Sequence, residues 1–417
     1  MGTNRRFYRI CFSILLLRAA LPAAAEQMAT VAERYRPSPR PDRVILTWPD
    51  DPRTTQAVTW RTDTTVRNAI AQVAVAAGGP IEAARTRIIP ATSSPFDAGP
   101  WRSQYHSAVI KGLSPGTLYA YRVGDGQTWS EWFHFRTASE DPEPFCFLYF
   151  GDVQNSIRQH GSRVIREAFR HAADARFLVF AGDLVKGGVD DLLWGEFFGI
   201  GGWLYATVPM VPTPGNTEYN NGVLTGHWRN QFTLPLNSIE QVEETAYFID
   251  YQGVRIVSLD SQRRLRDQGT WLNRVLKDNP NRWTILVFHT PLFTVHPDRE
   301  DNEYLIKHWK KAVFDRHHID LVLTGHDHSY GRSHMVDGVV YVVSVAGLDL
   351  ARAKGETLAR YGENAQHFQV ISINDDRLTF ESHTATGELY DAFELRKRPD
   401  GTNELVEILP SGTGSRR

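Results

Sequence analysis

Two short stretches decide the fold of this 417-residue chain: FCFLYFGDVQ at residues 145–154 and RFLVFAGDLV at residues 176–185. Each is an apolar run that ends in Gly-Asp, and a segment with helical spacing of apolar residues separates them. Apolar strand-like runs that alternate with amphipathic helices are typical of layered α/β domains. The pair therefore predicts two buried strands of such a domain.

The same alternation continues towards the C-terminus. Further apolar runs predict four more strands, at residues 208–212, 255–259, 283–288 and 321–323. Apolar side chains at helical spacing predict helices around residues 157–172, 271–276 and 305–314. Together these patterns predict a layered α/β domain over residues 145–397, in which β-sheets pack against flanking helices.

Five of the six predicted strands run directly into polar side chains that can bind a metal ion. These residues are Asp152, Gln154, Asp183, Asn216, His289, His326 and His328. The carboxyl ends of the strands in an α/β domain meet at one edge, so we expect these side chains to lie close together. A glycine precedes most of them and lets the backbone turn sharply as it leaves the sheet.

The donor types in this set indicate a particular chemistry. Oxygen donors and imidazoles together suit iron, zinc or manganese, and a carboxylate can bridge two such ions. A hydroxide held between two ions is a strong nucleophile near neutral pH, and the ions also neutralise phosphate oxygens. The sequence therefore predicts a site for two metal ions (Fe, Zn or Mn) that hydrolyses phosphoesters.

The region before this domain, residues 43–138, is predicted to form a β-sandwich. Short β-type runs separated by turn signals lie at residues 44–48, 56–62, 105–110, 117–123 and 131–136. A length of about 95 residues is usual for a sandwich. The sequence DPEP at residues 141–144 then breaks the pattern, as an interdomain linker does.

The first 25 residues have the layout of a secretory signal peptide. Three arginines precede the apolar run at residues 10–17, and three alanines at residues 23–25 precede Glu26. We therefore predict a signal peptide at residues 1–25, a secreted or periplasmic protein and no membrane span. The two cysteines, Cys11 and Cys146, lie far apart, so a disulfide is not expected.

The charge of the chain excludes one class of partner. Forty-six basic and 48 acidic residues give a formal net charge of −2. A chain without a global basic field has no evident nucleic-acid-binding surface. Partners must therefore be inferred from the predicted metal site.

The ordered set of strand-end residues resembles the calcineurin-like metallophosphoesterase superfamily. The stretch GHDHSYGR at residues 325–332 is similar to the last motif of that family. Trp60 and KGLSPGTLYAYRVG at residues 111–124 are similar to the N-terminal module of its purple acid phosphatase-like branch. The resemblance implies a fibronectin III or Ig-like sandwich followed by a metallophosphoesterase domain.

The resemblance also implies a role for each candidate residue. Asp152 and His328 would hold the first metal, and Asp183 would bridge the two ions. The ligands of the second metal would be Asn216, His289 and His326. His296, seven residues after His289, falls where the family often has a phosphate-contacting histidine.

Three positions depart from the family pattern. Lys186 stands where purple acid phosphatases have a metal-ligating tyrosine, so we expect no charge-transfer colour. Gln154 stands where the wider superfamily has histidine, and its amide oxygen is a poorer donor, so we expect a weakened first site. Thr217 replaces a histidine that assists the leaving group; a hydroxyl can only donate a hydrogen bond, so turnover is expected to slow unless His296 or His227 substitutes.

These observations favour an exported, acid phosphatase-like phosphomonoesterase that acts on a small-molecule or protein phosphoester. A phosphodiesterase with the same site is one alternative. The other is a catalytically impaired protein that binds phosphorylated or glycan ligands on a phosphatase scaffold. Gln154, Lys186 and Thr217 motivate this last possibility, whereas the six other ligand positions argue against it.

Overall fold

The computed structural model describes residues 32–348, 350–353, 358–362 and 364–408, so the predicted signal peptide lies outside the described residues. The first part of the described chain is a β-sandwich. Its strands are β1 (Asp42–Thr47), β2 (Thr55–Thr62), β3 (Ile70–Val75), β4 (Arg87–Pro90), β5 (Thr92–Ala98), β6 (Trp101–Lys111), β7 (Leu118–Gly124) and β8 (Phe133–Arg136). One layer has the order β1-β2-β6-β5 and the other the order β4-β3-β7-β8.

The two layers of the sandwich enclose an apolar core. Trp60 from one layer and Tyr121 from the other are fully buried in it. Five of the eight strands coincide with the predicted runs. Strands β3, β4 and β5 lie outside the predicted runs. The last two are edge strands that contain Pro90 and Pro95, and proline argues against a strand.

The second part of the chain consists of two sheets with helices. Its strands are β9 (Phe145–Phe150), β10 (Leu178–Ala181), β11 (Met210–Thr213), β12 (Tyr219–Asn220), β13 (Val223–Leu224), β14 (Tyr247–Tyr251), β15 (Val254–Ser258), β16 (Trp283–Val287), β17 (Leu321–Thr324), β18 (Tyr330–Ser333), β19 (Val340–Val343), β20 (Leu358–Gly362), β21 (His367–Asn374), β22 (Arg377–Thr384), β23 (Leu389–Lys397) and β24 (Asn403–Glu407). Its helices are α1 (Ser162–His171), α2 (Asp191–Gly201), α3 (Gly226–Gln231), α4 (Leu265–Lys277) and α5 (Glu303–Leu305), of which the last continues into a π-helical turn (Ile306–Lys310).

One sheet has seven strands in the order β14-β15-β16-β17-β19-β18-β20. The other has eleven and runs β24-β23-β22-β21-β9-β10-β11-β1-β2-β6-β5, so it continues into the sandwich. The connection is a parallel pairing of β1 with β11, in which Thr47 lies opposite Met210. The predicted fold class, a sandwich followed by a layered α/β domain, is confirmed.

All six strands predicted for the α/β domain occur, with ends within two residues of those observed. The C-terminal antiparallel strands β18 and β20–β24 are absent from the prediction. Strands β21–β24 extend the larger sheet to Glu407, past the predicted domain end at residue 397, whereas β18 and β20 belong to the smaller sheet.

A buried cluster of charges joins the sandwich to the α/β domain. Asp191, the first residue of α2, accepts hydrogen bonds from Arg43 at 2.7 Å and from Arg61 at 3.0 Å. The side chains of all three residues are at most 4% exposed. The charges satisfy one another out of water and form a direct contact between the two parts.

Cys146 is a free, half-buried cysteine on β9. Burial raises the pKa of its thiol to about 12, so the thiol stays protonated. Among the described residues, no helix is both long enough and apolar enough to cross a bilayer.

Candidate metal centre

All seven predicted ligand residues follow directly on strands, as the sequence indicates. Asp152, Gln154, Asp183 and Asn216 follow β9, β10 and β11 of the larger sheet. The histidines follow β16 and β17 of the smaller sheet. The expectation of a single sheet edge is therefore wrong: the carboxyl ends of parallel strands in two separate sheets supply the residues.

Three of these residues form a first group of donors. One ligand atom each from Asp152, Asp183 and His328 lie within 4.8 Å of one another. Gln154 joins them, because its Nε2 lies 2.9 Å from Oδ2 of Asp183 and 3.2 Å from Nε2 of His328. The group is buried except for His328, whose side chain is 21% exposed.

A second group of donors converges on Asn216. Its Oδ1 lies 2.9 Å from Nε2 of His289 and 3.0 Å from Nδ1 of His326. The two imidazole nitrogens are 3.1 Å apart, and Nε2 of His289 lies 3.3 Å from Oδ1 of Asp183. Asp183 is thus the residue that the two groups share.

The electrostatics of the second group favour one positive charge between the donors. Burial opposes protonation of His289, but Asp183 and Asp152 outweigh it and raise the pKa of His289 to about 10. Burial and the neighbouring His289 lower the pKa of His326 to about 3. Two imidazoles this close cannot both be charged, so these donors favour a single positive charge among them, which a metal cation could supply.

Two orphaned oxygens test whether the first group fits a metal. Oδ1 of Asp152 and Oε1 of Gln154 are buried, and neither accepts a hydrogen bond within the described ranges. Leaving a buried acceptor unpaired costs about 1–3 kcal/mol. A cation coordinated by Oδ1 of Asp152, and by Oε1 of Gln154 after rotation of its amide, would remove that cost, so the residues fit a metal ion.

The backbone at the candidate ligands is strained. Asp152, Asp183, His326 and His328 have φ values of 40°, 50°, 75° and 55°, in the left-handed region that non-glycine residues avoid. Such conformations cost about 1–3 kcal/mol each and cluster at functional sites. The strain is therefore an independent indication that these four residues are placed for function.

Gly215 and Gly325 serve the site by being small. A Cβ on Gly215 would lie 2.1 Å from Oδ1 of Asp183, and one on Gly325 would lie 2.2 Å from Oδ2 of Asp152. Only Gly182 of the strand-end glycines has a positive φ, 83°. The expected sharp turn occurs at Gly182. Gly215 and Gly325 are needed because a carboxylate lies too close to the backbone for a Cβ to fit.

Glu218 is a site residue that sequence reasoning missed. Its fully buried carboxylate accepts hydrogen bonds from the backbone N–H groups of Asp183, Gly215, Leu184 and Val185, at 2.7–3.3 Å. It therefore ties the loop of Asp183 to the loop of Asn216. The sequence shows only a glutamate two residues after Asn216, which by itself gives no sign of this role.

Three other candidates lie where their chemistry is restricted. The hydroxyl of Thr217 donates to the carbonyl oxygen of Val185 at 2.7 Å, so its proton is already engaged. Lys186 is exposed. His227 is buried between the two domains, 3.4 Å from Asp191, so it is wrong as a substitute acid.

Among the described residues, Nε2 of His296 has no hydrogen-bond partner and is available to a ligand. Its Nδ1 accepts a hydrogen bond from the backbone N–H of Asp298 at 3.2 Å, which places the proton of the neutral ring on Nε2. The ring is half-buried, in the loop that follows β16. It can therefore donate a hydrogen bond, as the predicted phosphate contact requires.

Comparison with known families agrees with this architecture. Residues 41–137 match the N-terminal domain model of purple acid phosphatases, and residues 147–330 match the calcineurin-like phosphoesterase model. The chain is 28% identical over 362 residues to human Acid phosphatase type 7, covering 78% of this chain and 76% of that protein. It is 24% identical to Purple acid phosphatase 1 of Ipomoea batatas, covering 57% of this chain and 53% of that protein.

Solved structures show the same fold. A purple acid phosphatase from yellow lupin seeds superposes with a TM-score of 0.72 at 18% identity, covering 87% of this chain and 75% of the lupin chain. PhoD superposes with a TM-score of 0.61 at 12% identity, covering 89% and 92% of the two chains.

A sandwich followed by two sheets that share a cluster of carboxylate, amide and imidazole donors defines a metallophosphoesterase. The chain belongs to the purple acid phosphatase-like branch of the calcineurin-like metallophosphoesterases. Its class is that of metal-dependent phosphoric ester hydrolases with a binuclear centre, as the sequence predicts.

Proposed function

We propose that the protein is an exported phosphomonoesterase of the acid phosphatase type. The observation that carries the proposal is the position of Asp183. Its Oδ2 faces the first group of donors and its Oδ1 faces the second. A carboxylate in this position can bridge two ions, which is the arrangement that hydrolyses phosphoesters.

Each residue has a role in this proposal. With Asp183, the first ion would be held by Asp152, Gln154 and His328, and the second by Asn216, His289 and His326. Iron, zinc or manganese suits these donors. The bound ions would activate the attacking water and neutralise the phosphoryl oxygens. His296 donates from Nε2 to a phosphoryl oxygen, while the backbone N–H of Thr217 holds Oδ1 of Asp183 at 3.0 Å.

Comparison of two nitrophenyl esters tests the proposed substrate class. We expect protein reconstituted with Fe, Zn or Mn to hydrolyse nitrophenyl phosphate with a higher kcat/KM than bis(nitrophenyl) phosphate. Elemental analysis of the same samples should give about two ions per chain, as a bridged site requires. A preference for the bis-ester would instead make the protein a phosphodiesterase.

Gln154 favours a second candidate function, a binding protein with impaired catalysis. Its amide nitrogen, not its oxygen, faces Asp183 and His328, so the NH₂ group lies where the first ion would be. Coordination through Oε1 therefore requires the amide to rotate by half a turn. If the amide does not rotate, the first site stays empty and the scaffold binds ligands without hydrolysing them.

Replacing Gln154 with His is expected to strengthen the first metal site. An imidazole is a better ligand than an amide and offers no NH₂ group to Asp183. Affinity for the weaker ion should rise by about 10-fold or more, since even residues that only orient ligands change it by 10- to 100-fold. Calorimetric titration with Mn²⁺ or Zn²⁺ measures this, with Gln154→Ala as the control. Unchanged affinity in Gln154→His would show that Gln154 does not limit the site.

The export part of the proposal rests on residues 1–25, which lie outside the described residues. N-terminal sequencing of the mature protein tests it. A chain that begins at Glu26 is expected, and a mature chain that retains residues 1–25 would contradict export.

A further inference from the structure

The loop after β16 is anchored to the last metal-ligand motif by a buried carboxylate. Asp327 lies between His326 and His328 and is 1% exposed. Its Oδ2 accepts hydrogen bonds from Thr294 Oγ1 at 2.8 Å and from the backbone N–H of Val295 at 2.7 Å. This loop therefore has a fixed position relative to the candidate ligands.

Arg299, at the end of the same loop, is held from one side only. Its Nη1 donates to the carbonyl oxygen of His326 and to Oδ1 of Asp327, both at 2.9 Å. Its Nε and Nη2 have no acceptor in the part of the chain that the structure describes, and the side chain is 38% exposed. One edge of the guanidinium is thus anchored and the other is open.

This geometry matches what binds phosphate. A guanidinium presents its donors in a rigid planar fork, which pairs with two oxygens of a phosphate. The anchored nitrogen lies 2.9 Å from the carbonyl oxygen of His326, so the guanidinium is next to a residue of the second group of donors. His296 belongs to the same loop, and its carbonyl oxygen accepts the backbone N–H of Arg299 at 3.3 Å.

We propose that Arg299 binds the phosphoryl oxygens of a phosphomonoester dianion at this centre and that Asp327 positions it. The inference rests on the proposed function and names the residue that selects the substrate class. A monoester has one more ionisable oxygen than a diester, so it gains more from a fixed cation. Thr217 has no positive charge with which to bind the phosphate. Arg299, in the loop after β16, has one.

Replacement of Arg299 with Met tests the proposal on metal-loaded protein. The variant is expected to bind inorganic phosphate about 10- to 100-fold more weakly by calorimetry, as loss of a hydrogen bond to a charged group predicts. Its kcat/KM should fall more for nitrophenyl phosphate than for the bis-ester, with unchanged metal content. Arg299→Lys keeps the charge near Asp327 but loses the fork, so it should fall between wild type and Arg299→Met.

Arg282→Met provides the matched control. Arg282 also pairs with one aspartate, Asp375 at 2.8 Å, and precedes β16 at the opposite edge of the sheet. The Arg282→Met variant should bind phosphate as tightly as the wild type does. If Arg299→Met fails to fold, the phosphate affinity of Arg299→Lys decides instead.

The outcomes separate this proposal from the proposed function. Equal phosphate affinity in wild type and Arg299→Met overturns the role of Arg299. Loss of metal in the variant also overturns it, because Arg299 would then support the ligands and not the phosphate. If the wild type hydrolyses neither ester but Arg299→Met still weakens phosphate binding, the proposed function fails and the role of Arg299 stands.

Discussion

Replacement of Asp183 with Asn is expected to lower kcat/KM for phosphoester hydrolysis by about 10³-fold or more, beyond the 10²- to 10³-fold that loss of one stabilising donor costs. Asp183 belongs to both groups of donors, with Nε2 of His289 3.3 Å from its Oδ1 and Nε2 of Gln154 2.9 Å from its Oδ2. An amide has the same size but no charge and cannot bridge two cations equally well. Nitrophenyl phosphate turnover, with elemental analysis of metal per chain, measures the effect.

A second buried aspartate provides the control for Asp183. Asp320 is 1% exposed and precedes β17, whereas the candidate ligands His326 and His328 follow that strand. Asp320→Asn breaks an ion pair with Lys397 and is expected to lower stability but not metal content. If Asp183→Asn hydrolysed phosphoesters as fast as the wild type, the bridging role would be wrong. A wild type that takes up metal but turns over no ester would favour the binding protein.

The grouping of the candidate ligands could be predicted because it depends on local sequence. An apolar run defines each strand, and the residue that follows the run lies at the carboxyl end of that strand. Asp152 and His328 are 176 positions apart along the chain, yet local rules place both at strand ends. The family and the enzyme class are confirmed, while the role of each residue as a ligand stays a prediction.

The assignment of each strand to one of the two sheets could not be predicted, because strand pairing between distant segments is not encoded locally. Nothing near Thr47 or Met210 in the sequence indicates that their strands pair. For the same reason, the burial of His227 could not be predicted from the sequence. A histidine in a loop after the Asn216 motif suggested a substitute acid, but the tertiary fold buries it against Asp191.

The backbone conformation of the ligands also escapes sequence reasoning. Intrinsic preference argues against positive φ at Asp152, Asp183, His326 and His328. Tertiary contacts must therefore offset the strain. Glu218 is one such contact, since its carboxylate holds the backbone N–H of Asp183 at 3.0 Å. Strain of this kind is expected where function, and not stability, determines the conformation.

Replacement of Asp191 with Asn is expected to lower the free energy of unfolding by about 3–5 kcal/mol, the usual cost of breaking a buried ion pair. Asp191 compensates two guanidinium groups, from Arg43 and Arg61, that are at most 4% exposed. The substitution leaves Arg43 buried without a carboxylate partner among the described residues, whereas Arg61 keeps Asp42. Urea unfolding followed by tryptophan fluorescence measures the loss. The exposed pair of Asp97 with Arg102 provides the control, since Asp97→Asn should leave stability nearly unchanged.

The loss of stability in Asp191→Asn can come from lost charge or from altered packing. The pH dependence of the free energy of unfolding distinguishes the two. Burial opposes ionisation of Asp191, but His227 and the two arginines outweigh it and hold the pKa of Asp191 well below its ordinary value. A carboxyl with a lowered pKa stabilises the fold above its unfolded-state pKa, and the contribution disappears as the pH falls through the folded-state pKa. The difference in the free energy of unfolding between wild type and Asp191→Asn should therefore be constant above about pH 5 and should narrow below about pH 4. If this difference did not narrow in acid, altered packing and not lost charge would account for the effect of Asp191→Asn on the contact between the sandwich and the α/β domain.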